Sequence, residues 1–82
     1  MARVLFFGRL RDLAGCAQRE IPLAQAIDVA AFRKMAAGGD KALEELLGAP
    51  STRTAINATL IVQPGVVAPD DEVAFMPPFS GG

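Results

Sequence analysis

Alternating positions near the amino terminus predict a β-strand over residues 2–7. This segment is rich in β-branched and aromatic side chains and contains no helix breaker. The period-two spacing of a strand places Val4 and Phe6 on one face and Leu5 and Phe7 on the other. Both faces of this predicted strand are therefore apolar.

Further strands are predicted at residues 18–23 and at residues 53–62. Residues 8–16 contain two glycines and several charges, and they are predicted to form a hairpin connection into a strand over residues 18–23. Pro22 suits an edge strand, because proline lacks the N–H donor that a central strand needs. Residues 53–62 alternate apolar and polar side chains, which predicts one strand or a tight strand pair broken near Asn57.

Two helices are predicted between these strands. The longer helix runs from Asp28, as its N-cap, to about residue 37, and its apolar residues have the spacing of a face that packs on a sheet. The shorter helix runs from the cap Asp40 through Leu47, and Gly48 is expected to end it in the left-handed conformation. The apolar stripe of the shorter helix consists of Leu43, Leu46 and Leu47.

The order of these elements predicts an α+β fold. A last strand is expected at residues 72–76, and helices between strands imply a mixed sheet with parallel neighbours. This order is typical of the β-grasp, or ubiquitin-like, topology with one main helix and one short helix, in which the first and last strands are adjacent. The expected core face consists of Val4, Phe6, Ile21, Phe32, Leu60, Val73 and Phe75. The opposite face is expected to carry Leu5, Phe7, Ala74 and Met76.

Composition narrows the functional classes. A chain of 82 residues suits one domain over residues 1–82. The net charge of -1 without a basic run argues against a nucleic-acid partner. No segment approaches the ~20 apolar residues of a membrane span or forms a signal-peptide core, so we expect a cytoplasmic protein with no membrane partner. Cys16 is the single cysteine and histidine is absent, so no disulfide within the chain and no metal site are expected.

The carboxyl terminus is the candidate position for chemistry. Residues 77–82 are expected to form a flexible tail that begins with Pro77 and Pro78, whose rings stiffen its base. Terminal glycines lack the Cβ atom that would block entry into a narrow channel. The last four residues can extend roughly 13 to 14 Å at ~3.3 to 3.6 Å per residue. These four are Phe79, Ser80, Gly81 and Gly82.

Three segments together resemble the small subunit of molybdopterin synthase. Residues 4–15 have the sequence Val-Leu-Phe-Phe-Gly-Arg-Leu-Arg-Asp-Leu-Ala-Gly, and residues 55–60 are Ala-Ile-Asn-Ala-Thr-Leu. Residues 71–82 combine the last predicted strand with Pro-Pro, two spacer residues and Gly-Gly. A terminal Gly-Gly is shared by ubiquitin and several sulfur carriers, whereas its combination with the amino-terminal motif is specific to this family.

The resemblance implies a noncatalytic sulfur carrier. In that family a ubiquitin-activating-type enzyme uses ATP to adenylate the terminal glycine, which is then converted to a thiocarboxylate. The tail enters the large synthase subunit, which contains the catalytic residues, and the sulfur passes to a cyclic pterin phosphate precursor. By matching position, Gly82 would carry the sulfur, and Gly81, Ser80 and Phe79 would enter the channel. The resemblance further implies no bound cofactor and a heterotetramer of two small and two large subunits.

A partner-binding surface follows from the same resemblance and the predicted outer face. Its expected members are Leu5, Phe7, Arg11, Ala74, Met76, Pro77 and Pro78. Loops of the chain itself could instead cover the apolar face, and Arg11 could be a solvated loop residue. Phe79 could anchor the tail in a groove of the partner or pack back on the body of the protein.

Two other functions remain open at this point. The chain could carry sulfur in another pathway, such as thiazole or amino-acid synthesis, or it could be a ubiquitin-like modifier conjugated to lysines through Gly82. The amino-terminal motif and the Pro-Pro pair favour the molybdopterin synthase subunit.

Overall fold

The computed structural model describes residues 1–61 and 65–78, and within them seven strands and three helices. The strands are β1 (Ala2–Phe6), β2 (Gln18–Ile21), β3 (Ile27–Asp28), β4 (Arg53–Ile56), β5 (Thr59–Ile61), β6 (Val66–Val67) and β7 (Glu72–Met76). The helices are α1 (Arg9–Ala14), α2 (Val29–Ala37) and α3 (Lys41–Leu47). No helix in the described part of the chain has the length and apolar content needed to cross a membrane.

The main sheet has five strands in the order β2-β1-β7-β4-β5. Its two inner neighbours β1 and β7 are parallel, and every other neighbouring pair in this sheet is antiparallel. Strands β3 and β6 form a separate antiparallel pair. The predicted mixed sheet, the adjacency of the first and last strands and the β-grasp topology are thus confirmed. Strand β2 lies at an edge, as Pro22 indicates, and that proline follows the last residue of the strand.

The hydrophobic core lies between one face of the sheet and the helices. Phe6 and Phe75 come from the two central strands, and their ring centroids are 6.5 Å apart in a stacked arrangement. Phe32 of α2 is completely buried against the same cluster. Six of the seven predicted core residues belong to this cluster, namely Val4, Phe6, Ile21, Phe32, Val73 and Phe75.

The two predicted helices begin at the predicted caps. The Asp28 side chain accepts a hydrogen bond from the Ala31 N–H at 2.7 Å, and the Asp40 side chain accepts one from the Leu43 N–H at 3.1 Å. These bonds satisfy N–H groups that the first turn leaves without a partner in the helix. The prediction for Gly48 was wrong, because its φ is -95° and therefore not left-handed.

The hairpin connection predicted over residues 8–16 does join the antiparallel strands β1 and β2, but it contains α1, which the prediction missed. Leu10 is only 2% exposed and belongs to the core cluster, so α1 contributes to the buried face of the domain. Gly15 ends the helix in the left-handed conformation with a φ of 80°. The fold therefore has one more helix than the one main and one short helix predicted.

The predicted strand pair at residues 53–62 is confirmed as the β4–β5 hairpin. Asn57 and Ala58 form its turn with φ values of 51° and 69°, the positive angles that a two-residue type I′ turn requires. This turn reverses which alternate residues face the core. Leu60 consequently pairs with Ala55 and is 51% exposed, so its predicted place in the core was wrong.

Candidate functional site

The carboxyl-terminal segment leaves the fold from the middle of the main sheet. Strand β7 lies between β1 and β4, and because β1 and β7 are parallel, both strands end at the same edge. The Phe7 N–H donates a hydrogen bond to the Phe75 carbonyl at 3.2 Å. Beyond this bond Gly8 approaches Pro77 so closely that a Cβ atom on Gly8 would lie 2.8 Å from the proline Cγ. The base of the tail is therefore fixed against the connection that follows β1.

The predicted tail-insertion residues and the predicted sulfur attachment point lie outside the described residues. They are Phe79, Ser80, Gly81 and Gly82. Pro77 and Pro78 are described, and Pro78 is exposed. Of the predicted tail over residues 77–82, the structure thus describes only these two prolines, and the tail itself remains a prediction.

The outer face of the sheet, which points away from the helices, carries one row of side chains across all five strands. The strand registers place these residues side by side in the order Gln18, Leu5, Ala74, Ala55 and Leu60. Four of the five are apolar. The row therefore forms a continuous apolar strip from the second strand of the sheet to its edge.

The side chains on either side of this row differ in character. Toward the tail, Met76 lies opposite Arg53, and Phe7 follows β1 with 47% of its surface exposed. At the other end, Arg3 makes ion pairs with Glu20 at 3.3 Å and with Glu72 at 3.8 Å. The end of the outer face at which β7 finishes thus combines Met76 and Phe7 with one arginine, whereas the other end carries a cluster of ion pairs.

We call this apolar surface the outer patch. It consists of Leu5, Phe7, Ala55, Leu60, Ala74 and Met76. The four predicted members Leu5, Phe7, Ala74 and Met76 lie together on this face, as expected from the strand periodicity. Ala55 and Leu60 were not predicted, although a two-residue turn at the strand break near Asn57 pairs Ile56 with Thr59 and so places Leu60 on the same face as Ala55. Contact of the outer patch with a partner remains a prediction.

The two arginines that follow β1 have different positions. Arg11 is exposed on α1, so its predicted contact with a partner also remains a prediction. Arg9, which sequence reasoning did not select, lines a cleft of about 130 Å³ beside the first tail residues. We call it the tail-base cleft, and its lining residues are Arg9, Leu10, Leu46, Ser51, Thr52, Pro77 and Pro78.

We examined the described residues for metal-binding and nucleophilic groups. Within residues 1–61 and 65–78, no group of three or more His, Cys, Asp and Glu side chains is placed to hold a metal ion. Cys16 is half-buried, and its Sγ lies 3.9 Å from the Ala14 carbonyl oxygen. The functional interest of the described part of the chain therefore lies in its surface and in the placement of the tail.

Comparison with known proteins identifies the family. The sequence model of the ThiS family matches residues 4–82. The chain belongs to the ThiS family. A curated relative, the molybdopterin synthase sulfur carrier subunit of Escherichia coli (strain K12), is 38% identical over 86 aligned positions that cover 100% of each chain. The resemblance predicted from three sequence segments is thereby confirmed for this ThiS-family chain.

Solved structures agree on the fold. SAMP1 from Haloferax volcanii superimposes with a TM-score of 0.82 at 23% identity, covering 99% of this chain and 98% of SAMP1. A Pyrococcus furiosus protein described as a candidate molybdopterin converting factor, subunit 1, has a TM-score of 0.76 at 22% identity and covers 95% of this chain and 97% of its own. At these identities the likeness shows the shared β-grasp fold.

Proposed function

We propose that this ThiS-family chain is the sulfur carrier subunit of a molybdopterin synthase. The observation that carries the proposal is that β7 ends at the same end of the outer face where Met76 and Phe7 of the outer patch lie, so the chain continues toward Gly82 from there. A partner that covers the patch therefore receives the tail at the same time. The full-length match to the E. coli sulfur carrier subunit supports this function over other functions of the same fold.

The proposed reactive group is the carboxylate of Gly82. A terminal carboxylate has a pKa near ~3.5, so it is ionised at neutral pH and resists nucleophilic attack. An activating enzyme of the ubiquitin-activating type joins this carboxylate to the AMP part of ATP and releases pyrophosphate. A sulfur nucleophile then displaces AMP and leaves a thiocarboxylate. These steps require no general acid or base from the carrier, because the partner enzymes supply them.

The outer patch is the proposed contact with the large subunit. Phe7 and Leu60 are 47% and 51% exposed, Leu5, Ala74 and Met76 are half-buried, and only Ala55 is buried. Apolar side chains that are exposed together mark protein interaction sites. Met76 lies beside the start of the tail, so docking there directs the last four residues into the partner. Their reach of roughly 13 to 14 Å suffices for a buried acceptor site. Within this proposal the large subunit holds the catalytic residues and the pterin precursor, and Arg11 pairs with acidic groups at the rim of the contact.

The wider assembly is part of the same proposal. We expect two small and two large subunits in a cytoplasmic heterotetramer, with ATP used by the activating enzyme and no cofactor held by the carrier. Carriers for thiazole or amino-acid synthesis and ubiquitin-like modifiers share this fold, so the fold alone does not separate them. The name of the E. coli relative favours molybdopterin synthesis.

Reconstitution tests the proposed pathway. The thiocarboxylated chain is mixed with a molybdopterin synthase large subunit and the cyclic pterin phosphate precursor, and molybdopterin is measured after conversion to a fluorescent derivative. We expect product that depends on the large subunit and on the thiocarboxylate. A chain that accepts sulfur but yields no product with this partner, while supporting thiazole synthesis, would instead belong to the other pathway.

A further inference from the structure

Two arginines lie on the outer face of the sheet, and their strand neighbours differ. Arg3 of β1 is in register with Glu20 of β2 and Glu72 of β7. Its guanidinium makes ion pairs with both carboxylates, at 3.3 Å and 3.8 Å. Arg53 of β4 is in register with Met76 of β7 instead, and its side chain is exposed. The charge of Arg53 therefore lies beside an apolar strand neighbour.

The other outer-face positions next to Arg53 are also apolar. Ala55 is the next outer-face residue on β4, and it lies between Ala74 of β7 and Leu60 of β5. In the described part of the chain, no ion pair joins Arg53 to a carboxylate. A guanidinium stays protonated and offers several N–H donors in one plane. Arg53 thus presents a cation whose donors are available to another molecule.

Arg53 also lines a groove at the β5 edge of the sheet, which we call the edge groove. Its volume is about 510 Å³, and its lining residues are Ala49, Pro50, Thr52, Arg53, Leu60 and Ile61. The Thr52 hydroxyl already donates a hydrogen bond to the Leu46 carbonyl, at 2.6 Å. The other lining side chains besides Arg53 are apolar, and Leu60 belongs to the outer patch as well. The edge groove therefore continues the outer patch and adds one cation to it.

The charges of the sheet are divided between its two ends. At the end opposite Arg53, carboxylates outnumber cations around a cavity lined by Met1, Arg3, Glu20, Asp70, Asp71 and Glu72. At the Arg53 end, Arg9 lines the tail-base cleft, and Thr52 lines both that cleft and the edge groove. Arginines at one end of a domain attract a negatively charged surface and steer its approach.

A partner that covers Met76 also covers Arg53, because the two residues are strand neighbours. Removing a guanidinium from water is unfavourable unless an opposite charge replaces the lost water. We propose that the edge groove binds an acidic segment of the large subunit, in which a carboxylate pairs with Arg53 and an adjacent apolar side chain covers Leu60. This inference rests on the proposed function and names the chemistry of the partner surface.

This pairing makes Arg53 a residue that selects the partner. A carboxylate meets a guanidinium through two parallel hydrogen bonds, which fix the orientation of the bound segment. A protein with an apolar or basic surface at this position would leave the arginine buried without a counter-charge, and that arrangement opposes binding.

Charge reversal at Arg53 tests the proposal. The affinity of the full-length chain for a molybdopterin synthase large subunit is measured by titration calorimetry at low and at high ionic strength. We expect Arg53→Glu to lower the affinity at least about tenfold at low ionic strength, because two carboxylates then face each other. The loss should be smaller in high salt, which screens the repulsion. Arg53→Gln removes the charge without reversing it and should lower the affinity by about threefold.

Lys41→Glu is the matched control. Lys41 is the exposed first residue of α3 and does not line the edge groove, so its replacement makes the same change in net charge elsewhere. Its affinity should stay within about twofold of that of the unsubstituted chain. A lysine in place of one acidic residue of the large subunit should restore binding of Arg53→Glu and thereby identify the paired carboxylate.

Four results would overturn the inference. Unchanged affinity of Arg53→Glu beside a weakened Met76→Lys would show that the outer patch docks without a carboxylate at Arg53, and the proposed function would stand. Equal losses in Arg53→Glu and Lys41→Glu would trace the effect to net charge alone. Self-association in sedimentation that Arg53→Glu abolishes would assign the groove to a second copy. No binding of the unsubstituted chain would contradict the proposed function as well.

Discussion

Leu5 and Ala74 lie side by side on the outer face of the sheet, in register across the two parallel central strands. Backbone hydrogen bonds of β1 and β7 fix this pair, and Ala55 of β4 extends it toward the sheet edge. The centre of the outer patch is therefore built on the least mobile kind of backbone in a small domain, the interior strands of its sheet. The same two strands also set the distance between the centre of the outer patch and Pro77.

The first prediction concerns docking. Met76→Lys places a charge at the end of the outer patch nearest the tail, and burying that charge against an apolar partner is unfavourable. We expect affinity for the large subunit to fall at least about tenfold, which corresponds to roughly 1.4 kcal/mol. Titration calorimetry measures the change directly.

Val66→Lys is the matched control for this prediction. Val66 is also an apolar strand residue, is 59% exposed and lies in β6 outside the outer patch. Its replacement should leave affinity unchanged. Equal affinities for the Met76→Lys variant and the unsubstituted chain would show that the patch is not the docking surface.

The second prediction concerns Arg19, which connects three elements of the core. Its guanidinium donates hydrogen bonds to the carbonyl of Ala36 in the last turn of α2 and to that of Ala14 at the end of α1. The guanidinium carbon also lies 5.6 Å from the centroid of the Phe6 ring. A cation at two helix C-termini and over an aromatic face is favourable.

Arg19→Met should therefore lower the free energy of unfolding by about 1.5 to 3 kcal/mol, the range for hydrogen bonds to charged groups. Urea denaturation measures this loss. The control Arg11→Met removes an exposed arginine and should change stability by less than about 0.5 kcal/mol. Similar losses in the two variants would contradict the bridging role of Arg19.

The third prediction concerns the turn between β4 and β5. Ala58 has a φ of 69°, a conformation that disfavours a side chain by roughly 1 to 2 kcal/mol. Ala58→Gly should therefore raise the free energy of unfolding by about 1 kcal/mol. The same exchange at the exposed Ala30, in the first turn of α2, should lower it, because glycine forms a helix less readily than alanine does. Thermal unfolding measures the stability of both variants. A less stable Ala58→Gly variant would show that the positive φ of Ala58 does not strain the turn.

The sequence predicted those parts of the fold that local patterns determine. Helix caps at Asp28 and Asp40 were correct because a short side chain before an amphipathic segment satisfies the first N–H groups of a helix. Helix α1 was missed because a helix of six residues is marginal by itself, and burial of Leu10 stabilises it through tertiary packing.

The candidate site was predictable to the extent that it follows strand periodicity. Leu5, Phe7, Ala74 and Met76 share a face because alternate residues of a strand point the same way. Leu60 was assigned to the core because alternation was continued through the turn, where two residues with positive φ reverse the pattern. The tail-base cleft was not predictable, since its walls come from segments that are distant in sequence.

The fourth prediction concerns the length of the tail. Removing Gly82, or adding one residue after it, shifts the terminal carbonyl by roughly one residue length, ~3.3 to 3.6 Å. Sulfur transfer should be abolished because the reacting atoms must be held within a small distance of each other. Molybdopterin formation and circular dichroism are measured together, and folding should be unaffected in both variants.

Ser80→Ala is the control for tail length, because it changes the tail chemically without moving its end. This variant should retain transfer. Unimpaired molybdopterin formation by either length variant would rule out a reactive terminus at Gly82.

The mass of the intact chain shows whether Gly82 acquires sulfur. The chain is incubated with a ubiquitin-activating-type enzyme, ATP and a sulfur source, and in parallel with each of these components left out. The mass of the intact chain is then measured by mass spectrometry. We expect a mass gain equal to the exchange of one oxygen atom for sulfur, dependent on ATP and located by fragmentation at Gly82. An unchanged mass under conditions that load the E. coli relative, or sulfur found on Cys16 instead, would contradict it.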